Sequence, residues 1–391
     1  MVSIVMPVHN AADVLRGAIE SVRAQTLTDF ELLCVENGST DSSPSIVEEV
    51  SRSDPRIRLI RYPIDDRGPG GPRNLGITQA NGRYLAFLDS DDLFRPSMLE
   101  RLVEKSARLD LDVSMCAIDT FSEDGEHSAT CPYSNTIPVE LDTGWFTATD
   151  LDEKIFQLRF VAWNKLYRTE FVRSMDLRFS PDRFYEDLMF TFPALLLADR
   201  IGFVREVLYL NRKERRGATT HDQGDRAYDA LMSMQEFGDF LQDQELSHLL
   251  GAYQAFRFRK LKNYLPHNDT AHVHAFFEHL KALANTLPAE AEAYLNDADR
   301  QALARIREDD LESYLLWSLW AIHLRNQRSQ RRMVLLKAKT QRQRDRIERL
   351  EAERAELRTR VRHPFRSIVD TSQRRAKARI DRVKRRVERK P

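Results

Sequence analysis

The sequence predicts an α/β fold: a Rossmann-like, mostly parallel sheet first, then an all-α region and a long C-terminal helix. Three observations carry this expectation. Short apolar runs alternate with helical-period stretches over roughly the first 115 residues, the pattern of repeated βαβ units. The run Tyr84-Leu85-Ala86-Phe87-Leu88 leads directly into Asp89, Ser90, Asp91 and Asp92. Three carboxylates thus stand at the C-terminal end of a predicted strand, the edge at which open α/β sheets bind ligands. From about Arg226 the strand signals stop and helical spacing continues alone.

Val2-Ser3-Ile4-Val5-Met6-Pro7 reads as a buried first strand, with Pro7 its expected end. Val14, Leu15, Ala18, Ile19 and Val22 then recur at helical spacing and form one apolar face. Phe30-Glu31-Leu32-Leu33-Cys34-Val35 is the second strand, opening into the turn formers Glu36-Asn37-Gly38-Ser39-Thr40-Asp41. Ser43 before Pro44 predicts an N-cap followed by proline at the first helical position. Ile57-Arg58-Leu59-Ile60 is the third strand. Asp66 to Pro72 is a Gly/Pro loop in which Gly68, Gly70 and Gly71 allow close backbone approach, and the next helix is expected to begin at Arg73. The strand ending at Asp89 follows, then a helix from near Pro96 with Asp92 as its expected cap.

With 391 residues and 42% hydrophobic content the chain is long enough for two or three domains with a real core. Its 60 basic and 60 acidic residues cancel, so no overall charge argues for nucleic acid. Cys34, Cys116 and Cys131 have no metal-like spacing. Cys34 sits in an apolar run and fills a core position, which makes a reducing, cytoplasmic setting the expectation. No apolar run approaches the ~18 residues of a membrane span, and Met1-Val2-Ser3 leads directly into a strand. Neither a signal peptide nor a transmembrane anchor is expected.

Three acids this close repel one another and lose hydration. Either solvent in an Asp-rich turn or a divalent cation compensates them, and carboxylates beside substrate phosphates suit Mn²⁺ or Mg²⁺. Taken in order, six motifs resemble family 2 glycosyltransferases of the GT-A fold. They are Ile4-Val5-Met6-Pro7-Val8-His9-Asn10, Glu36-Asn37-Gly38-Ser39-Thr40-Asp41, Pro72-Arg73-Asn74-Leu75-Gly76, Asp89-Ser90-Asp91-Asp92, Trp163-Asn164-Lys165-Leu166-Tyr167 and Glu186-Asp187. The resemblance covers residues 2 to 221.

That resemblance implies an inverting, metal-dependent transferase using a nucleotide-diphosphate sugar, with UDP-sugar favoured. It implies Asp91 as the metal-binding acid, His221 as a further ligand, and Asp89 with Ser90 beside the ribose and metal. Pro7, His9 and Asn10 would lie beside the nucleoside, with His9 where the family usually has tyrosine. Asn37 stands where the family commonly has an aspartate reading the base; its amide donates as well as accepts, so base identity stays open. Arg73, at a helix start after the Gly/Pro loop, suits a diphosphate or a surface ion pair. Trp163, Asn164 and Lys165 would line the sugar-acceptor cleft, with Trp163 also a core candidate, and Arg212 and Arg216 would meet phosphate or an anionic acceptor or else be plain surface charges. By the resemblance Asp187 is the general base and Glu186 supports it; flanking aromatic residues would bury the pair and raise a carboxyl pKa.

The expected organisation is a catalytic domain at 1–221, a helical domain at 222–325, a coiled-coil or single solvated helix at 326–362 and a basic tail at 363–391. Arg362 to Pro391 holds twelve basic residues against three acidic ones, with Ala376, Ile380, Val383 and Val387 at helical spacing. Such a helix suits an anionic membrane surface or an anionic polymer, and otherwise is a solvating tail. The expected acceptor is a cell-surface polysaccharide, teichoic acid or glycolipid, reached from the inner face of the membrane. Self-association through the C-terminal helices is a further expectation, and nucleic acid is not expected. The competing reading is a non-catalytic protein of the same fold that assembles a glycan-synthesis complex through those helices. A nucleotidyltransferase would carry a Gly-rich loop after the first strand, and Val8-His9-Asn10-Ala11-Ala12 has no glycine.

Overall fold

The computed structural model describes residues 1–63, 68–122, 127–128, 137–142, 144–213, 224–265, 273–308 and 310–321. Met1–Leu315 forms one compact unit. Leu316–Pro391 forms a second, of which only residues 316–321 are described. The expected 221/222 boundary, the helix at 326–362 and the tail at 363–391 therefore lie outside the described residues, as do Arg216, His221 and Cys131.

The first half alternates as its apolar runs require. Strand β1 (Val2–Val8) is followed by helix α1 (Leu15–Arg23), β2 (Phe30–Glu36) by α2 (Ser43–Ser53), and β3 (Ile57–Arg61) by α3 (Gly70–Gln79). Then come β4 (Tyr84–Phe87), β5 (Leu93–Phe94), α4 (Met98–Leu109), β6 (Val113–Phe121) and β7 (His127–Ser128). A short helix α5 (Ala148–Leu151), strand β8 (Lys165–Arg168), helices α6 (Thr169–Ser174) and α7 (Asp187–Leu197), and β9 (Ile201–Arg212) complete the sheet region. The strand order is β3-β2-β1-β4-β8-β6-β9-β5, with β7 beside β6. Strands β1 to β4 pair in parallel, whereas β8 is antiparallel to both its neighbours. The stripe Leu15, Ala18, Ile19 and Val22 of α1 is wholly buried, and Cys34 is a core residue.

Three boundaries differ from expectation, each for a local reason. Strand β1 runs through Pro7 to Val8, with Pro7 opposite Val35 of β2. The Val5 carbonyl accepts from Leu88 on the β4 side and the Val8 carbonyl from Asn37 on the β2 side. By alternation the Pro7 nitrogen faces the β4 side, where pairing has already ended at Phe87, so no ladder bond is lost. Ser43 is inside α2 rather than its cap, because its hydroxyl accepts from the Ala11 N–H at 2.8 Å. Helix α3 begins at Gly70, three residues early; a Cβ there would stand 2.1 Å from the Ser180 carbonyl oxygen, so glycine alone fits.

Helices α8 (Gly224–Asp243), α9 (Leu250–Lys262), α10 (Val273–Thr286), α11 (Ala289–Ala293) and α12 (Asp297–Glu308) follow, with no strand among the described residues. Their aromatic residues pack back onto the sheet region. Phe192 of α7 meets Phe237 of α8 at 5.4 Å between ring centroids, and Phe256 of α9 at 5.6 Å. Phe156 meets Phe192 at 5.4 Å and Tyr253 at 5.7 Å. Burying each ring stabilises the fold by on the order of 2 kcal/mol, so this cluster ties the helices firmly to the sheet region.

Candidate active site

Strand β4 delivers its acids into a tight turn, closed by the Asp92 N–H donating to the Asp89 carbonyl at 3.0 Å. The three carboxylates then separate. Asp92 is fully buried and accepts from the Tyr209 hydroxyl at 2.7 Å, the Asn211 amide at 3.1 Å and the Arg212 backbone N–H at 2.7 Å. It is not the cap of α4, whose N-cap is Ser97. Burial first, then the neighbouring Asp89 and Asp91, pushes the Asp92 carboxyl well above the usual range. Asp92 thus fastens the strand end to β9. Asp89, Ser90 and Asp91 stay half-buried at the mouth of the sheet.

Arg73 organises the other side. Its guanidinium is 3% exposed and reaches Asp89 Oδ1 at 2.7 Å, Glu186 Oε1 at 2.5 Å and Asp187 Oδ1 at 3.2 Å. Its backbone N–H is also engaged, donating to the Pro69 carbonyl inside the helix. The structure therefore places Arg73 among three carboxylates rather than with open N–H groups at a phosphate-binding edge. A planar fork with five donors is the side chain suited to this bridging.

Glu186 and Asp187 open α7, and no side-chain capping bond forms there. Burial raises the Asp187 carboxyl to about 7; Arg73 and Lys165 pull it down, while Glu186 and Asp89 push it up. Lys165, at the start of β8, is fully buried. Its ammonium donates to the Val161 carbonyl at 2.6 Å and the Asn164 amide oxygen at 2.9 Å, and burial lowers it to about 7 against the attraction of Asp187. Asn164 is buried too, donating to the Cys116 carbonyl at 2.7 Å. Trp163 is 5% exposed and stacks on Tyr209 at 4.2 Å. These three residues stand behind the acids as support.

The ends of β1 and β2 form a separate wall. His9 Nδ1 lies 2.6 Å from the Asn37 carbonyl oxygen, and Asn10, in the left-handed region at φ 46°, accepts from the Thr40 N–H at 2.8 Å. Asn37 is 8% exposed and its amide donates to the Gly68 carbonyl at 3.3 Å. Pro7 is half-buried behind them. Arg212 donates from Nε to the Asp91 carbonyl at 2.9 Å and lies over the Phe121 ring at 4.6 Å.

Among the described residues no group of three or more His, Cys, Asp or Glu side chains is arranged to hold a metal. The half-buried carboxylates of Asp89 and Asp91 fit Mg²⁺ or Mn²⁺ in the manner of an ion whose remaining ligands are substrate phosphates and water. Sequence reasoning missed Tyr209. Its hydroxyl accepts from the Asp89 N–H at 3.4 Å while donating to Asp92, and nothing in Leu208-Tyr209-Leu210 marks it off from an ordinary strand aromatic.

Comparison with known proteins points to the same fold. Residues 3–173 match the profile of glycosyl transferase family 2. The uncharacterized glycosyltransferase EpsJ of Bacillus subtilis is 32% identical over 220 residues, 54% of this chain and 61% of that protein. The poly(ribitol-phosphate) beta-glucosyltransferase of Bacillus spizizenii is 26% identical over 79% of this chain and 49% of its own length. This chain thus spans less than two thirds of either relative's length. The crystal structure of S. aureus TarS 1-349 with UDP-GlcNAc superposes with a TM-score of 0.62 at 20% identity, covering 80% of this chain and 89% of that one. The fold is GT-A, and residues 3–173 are similar to glycosyl transferase family 2.

Proposed function

We propose that the protein is an inverting, divalent-metal-dependent glycosyltransferase. It moves a sugar from a nucleotide-diphosphate donor, UDP-sugar favoured, to a hydroxyl of a cell-surface polysaccharide, teichoic acid or glycolipid. One observation carries the reading: a buried carboxyl raised to about 7, Asp187, is held through Arg73 to Asp89 at the mouth of the sheet. A general base works best with a pKa near the operating pH, and burial among like charges produces that value.

The division of labour follows from the site. His9, Asn10 and Asn37 form the wall for the nucleoside. Asp187 takes the proton of the acceptor hydroxyl as that oxygen attacks the anomeric carbon from the face opposite the leaving diphosphate. Glu186 shares Arg73 with Asp187 and so fixes the base's orientation. Asp89 and Asp91 would hold Mn²⁺ or Mg²⁺, which when bound neutralises the leaving diphosphate. UDP-GlcNAc in TarS and the ribitol-phosphate polymer named for the Bacillus spizizenii relative support the donor and acceptor classes.

The test is turnover and binding of UDP-, GDP-, CDP- and dTDP-sugars with Mn²⁺, Mg²⁺ or chelator, on wild type, Asp91→Ala and Asp187→Asn. Metal-dependent turnover of one donor is expected. Asp91→Ala should lose it through metal and donor binding, and Asp187→Asn should lose it with donor binding intact. Absence of donor binding under every condition would overturn the reading.

A further inference from the structure

The residues just before the Glu186-Asp187 pair are held by the helical region as well as by the sheet region. Arg183 Nη1 reaches Glu236 Oε2 of α8 at 3.2 Å. The Phe184 backbone N–H donates to Asp229 Oδ2 of the same helix at 3.0 Å, and Asp229 is 9% exposed. The Tyr185 ring packs on Phe160 at 5.1 Å and, edge to face, on Tyr264 just beyond α9 at 6.0 Å. Tyr185 itself has φ 76°, a conformation that a bulky L residue adopts only when its surroundings impose it. One residue later the chain turns into α7, and both carboxylates face Arg73.

We propose that Asp229 and Tyr264 are positioning residues for the base: they hold the left-handed turn at Tyr185 that aims Glu186 and Asp187 at Arg73 and Asp89. The helical region is then part of the catalytic apparatus and not only a covering for the sheet. Tyr185 without these contacts relaxes to a negative φ, which rotates the first turn of α7 and takes Asp187 away from Arg73. The nucleoside wall is built at the ends of β1 and β2 rather than on α8 or α9. The expected signature is a loss in kcat with donor KM unchanged. The inference rests on the reading of Asp187 as the base.

The experiment compares full-length wild type, Asp229→Ala, Asp229→Asn, Tyr264→Ala and Asp187→Asn on whichever sugar donor of the four-nucleotide panel is turned over. Hydrogen exchange of the peptides spanning residues 180–190 is measured alongside, and needs no donor. Asp229→Ala and Tyr264→Ala are expected to lower kcat about 10- to 100-fold with donor KM within about twofold, and to speed exchange at 183–188. Asp229→Asn keeps an acceptor oxygen for the Phe184 N–H and is expected to recover most of the rate. Wild-type kcat and exchange in both alanine variants, with Asp187→Asn inactive, overturns this inference and leaves the base in place. Full activity in Asp187→Asn instead overturns the reading on which it rests. Unchanged exchange at 183–188 in both alanine variants overturns the inference even where no donor is turned over.

Discussion

Asp187 combines a deep burial penalty with two flanking cations, and the balance leaves its carboxyl titrating at about 7. A base must be deprotonated to act, so kcat/KM is expected to fall about tenfold per pH unit below that value and level off above it. Stability runs the other way. The folded state holds this proton to higher pH than the unfolded chain does. Asp187's contribution is therefore fully present below the ordinary carboxylate range and lost as pH rises through about 7. Parallel pH–rate and thermal unfolding profiles of the wild type check both signs, with Asp187→Asn as the control that flattens this component of the unfolding profile. Lys165 offers a second test at the same scale. Removing its ammonium in Lys165→Met takes away an attraction on Asp187, weaker than that of Arg73, and should move the acidic limb to higher pH. The motif residues themselves were legible in the sequence, because clustered acids after an apolar run mark themselves. Their partners were not: the distance from Arg73 to Asp187 is 114 residues in sequence and 3.2 Å in space, and no local pattern encodes that contact.

At the scale of elements, apolar periodicity located β1 to β4 and α1 to within a residue or two, since β1, β2 and β4 are buried on both faces, the edge strand β3 is partly exposed, and α1 is buried on one face. It misplaced the start of α3, whose early beginning depends on a tertiary contact at Gly70 rather than on helix propensity. Two glycines of this helix carry distinct expectations. A Cβ at Gly76 would stand 2.2 Å from Val5 Cγ1, in the middle of the sheet. Gly76→Ala should overpack that contact and destabilise the protein by about 1–3 kcal/mol, read as a lowered urea midpoint. A Cβ at Gly70 would also stand 3.1 Å from Glu186 Cβ, besides its clash with Ser180. Gly70→Ala should therefore displace the segment leading to the base and reduce kcat more than its loss of stability accounts for.

Over the whole molecule, the helices were legible as helices but not as partners of the active site, because amphipathic faces do not name what they cover. Phe156 and Phe192 are buried against Phe237, Tyr253 and Phe256. A chain ending at residue 221 would expose that cluster, and it should aggregate. Residues 363–391 carry a different expectation. They hold eleven basic residues and three acidic ones, and among the described residues no helix is long and apolar enough to cross a membrane. Each basic side chain close to an anionic surface contributes about 1 kcal/mol, so a segment of this charge suffices for reversible binding without insertion. Full-length protein should co-sediment with vesicles rich in phosphatidylglycerol, release as salt is raised, and ignore neutral phosphatidylcholine vesicles. A chain ending at residue 362 should lose vesicle binding yet keep turnover of a water-soluble acceptor, since the acids and their supports lie before residue 265. Equal vesicle binding with and without the tail would remove it as the tether, leaving the compact unit as the surface that meets the lipid.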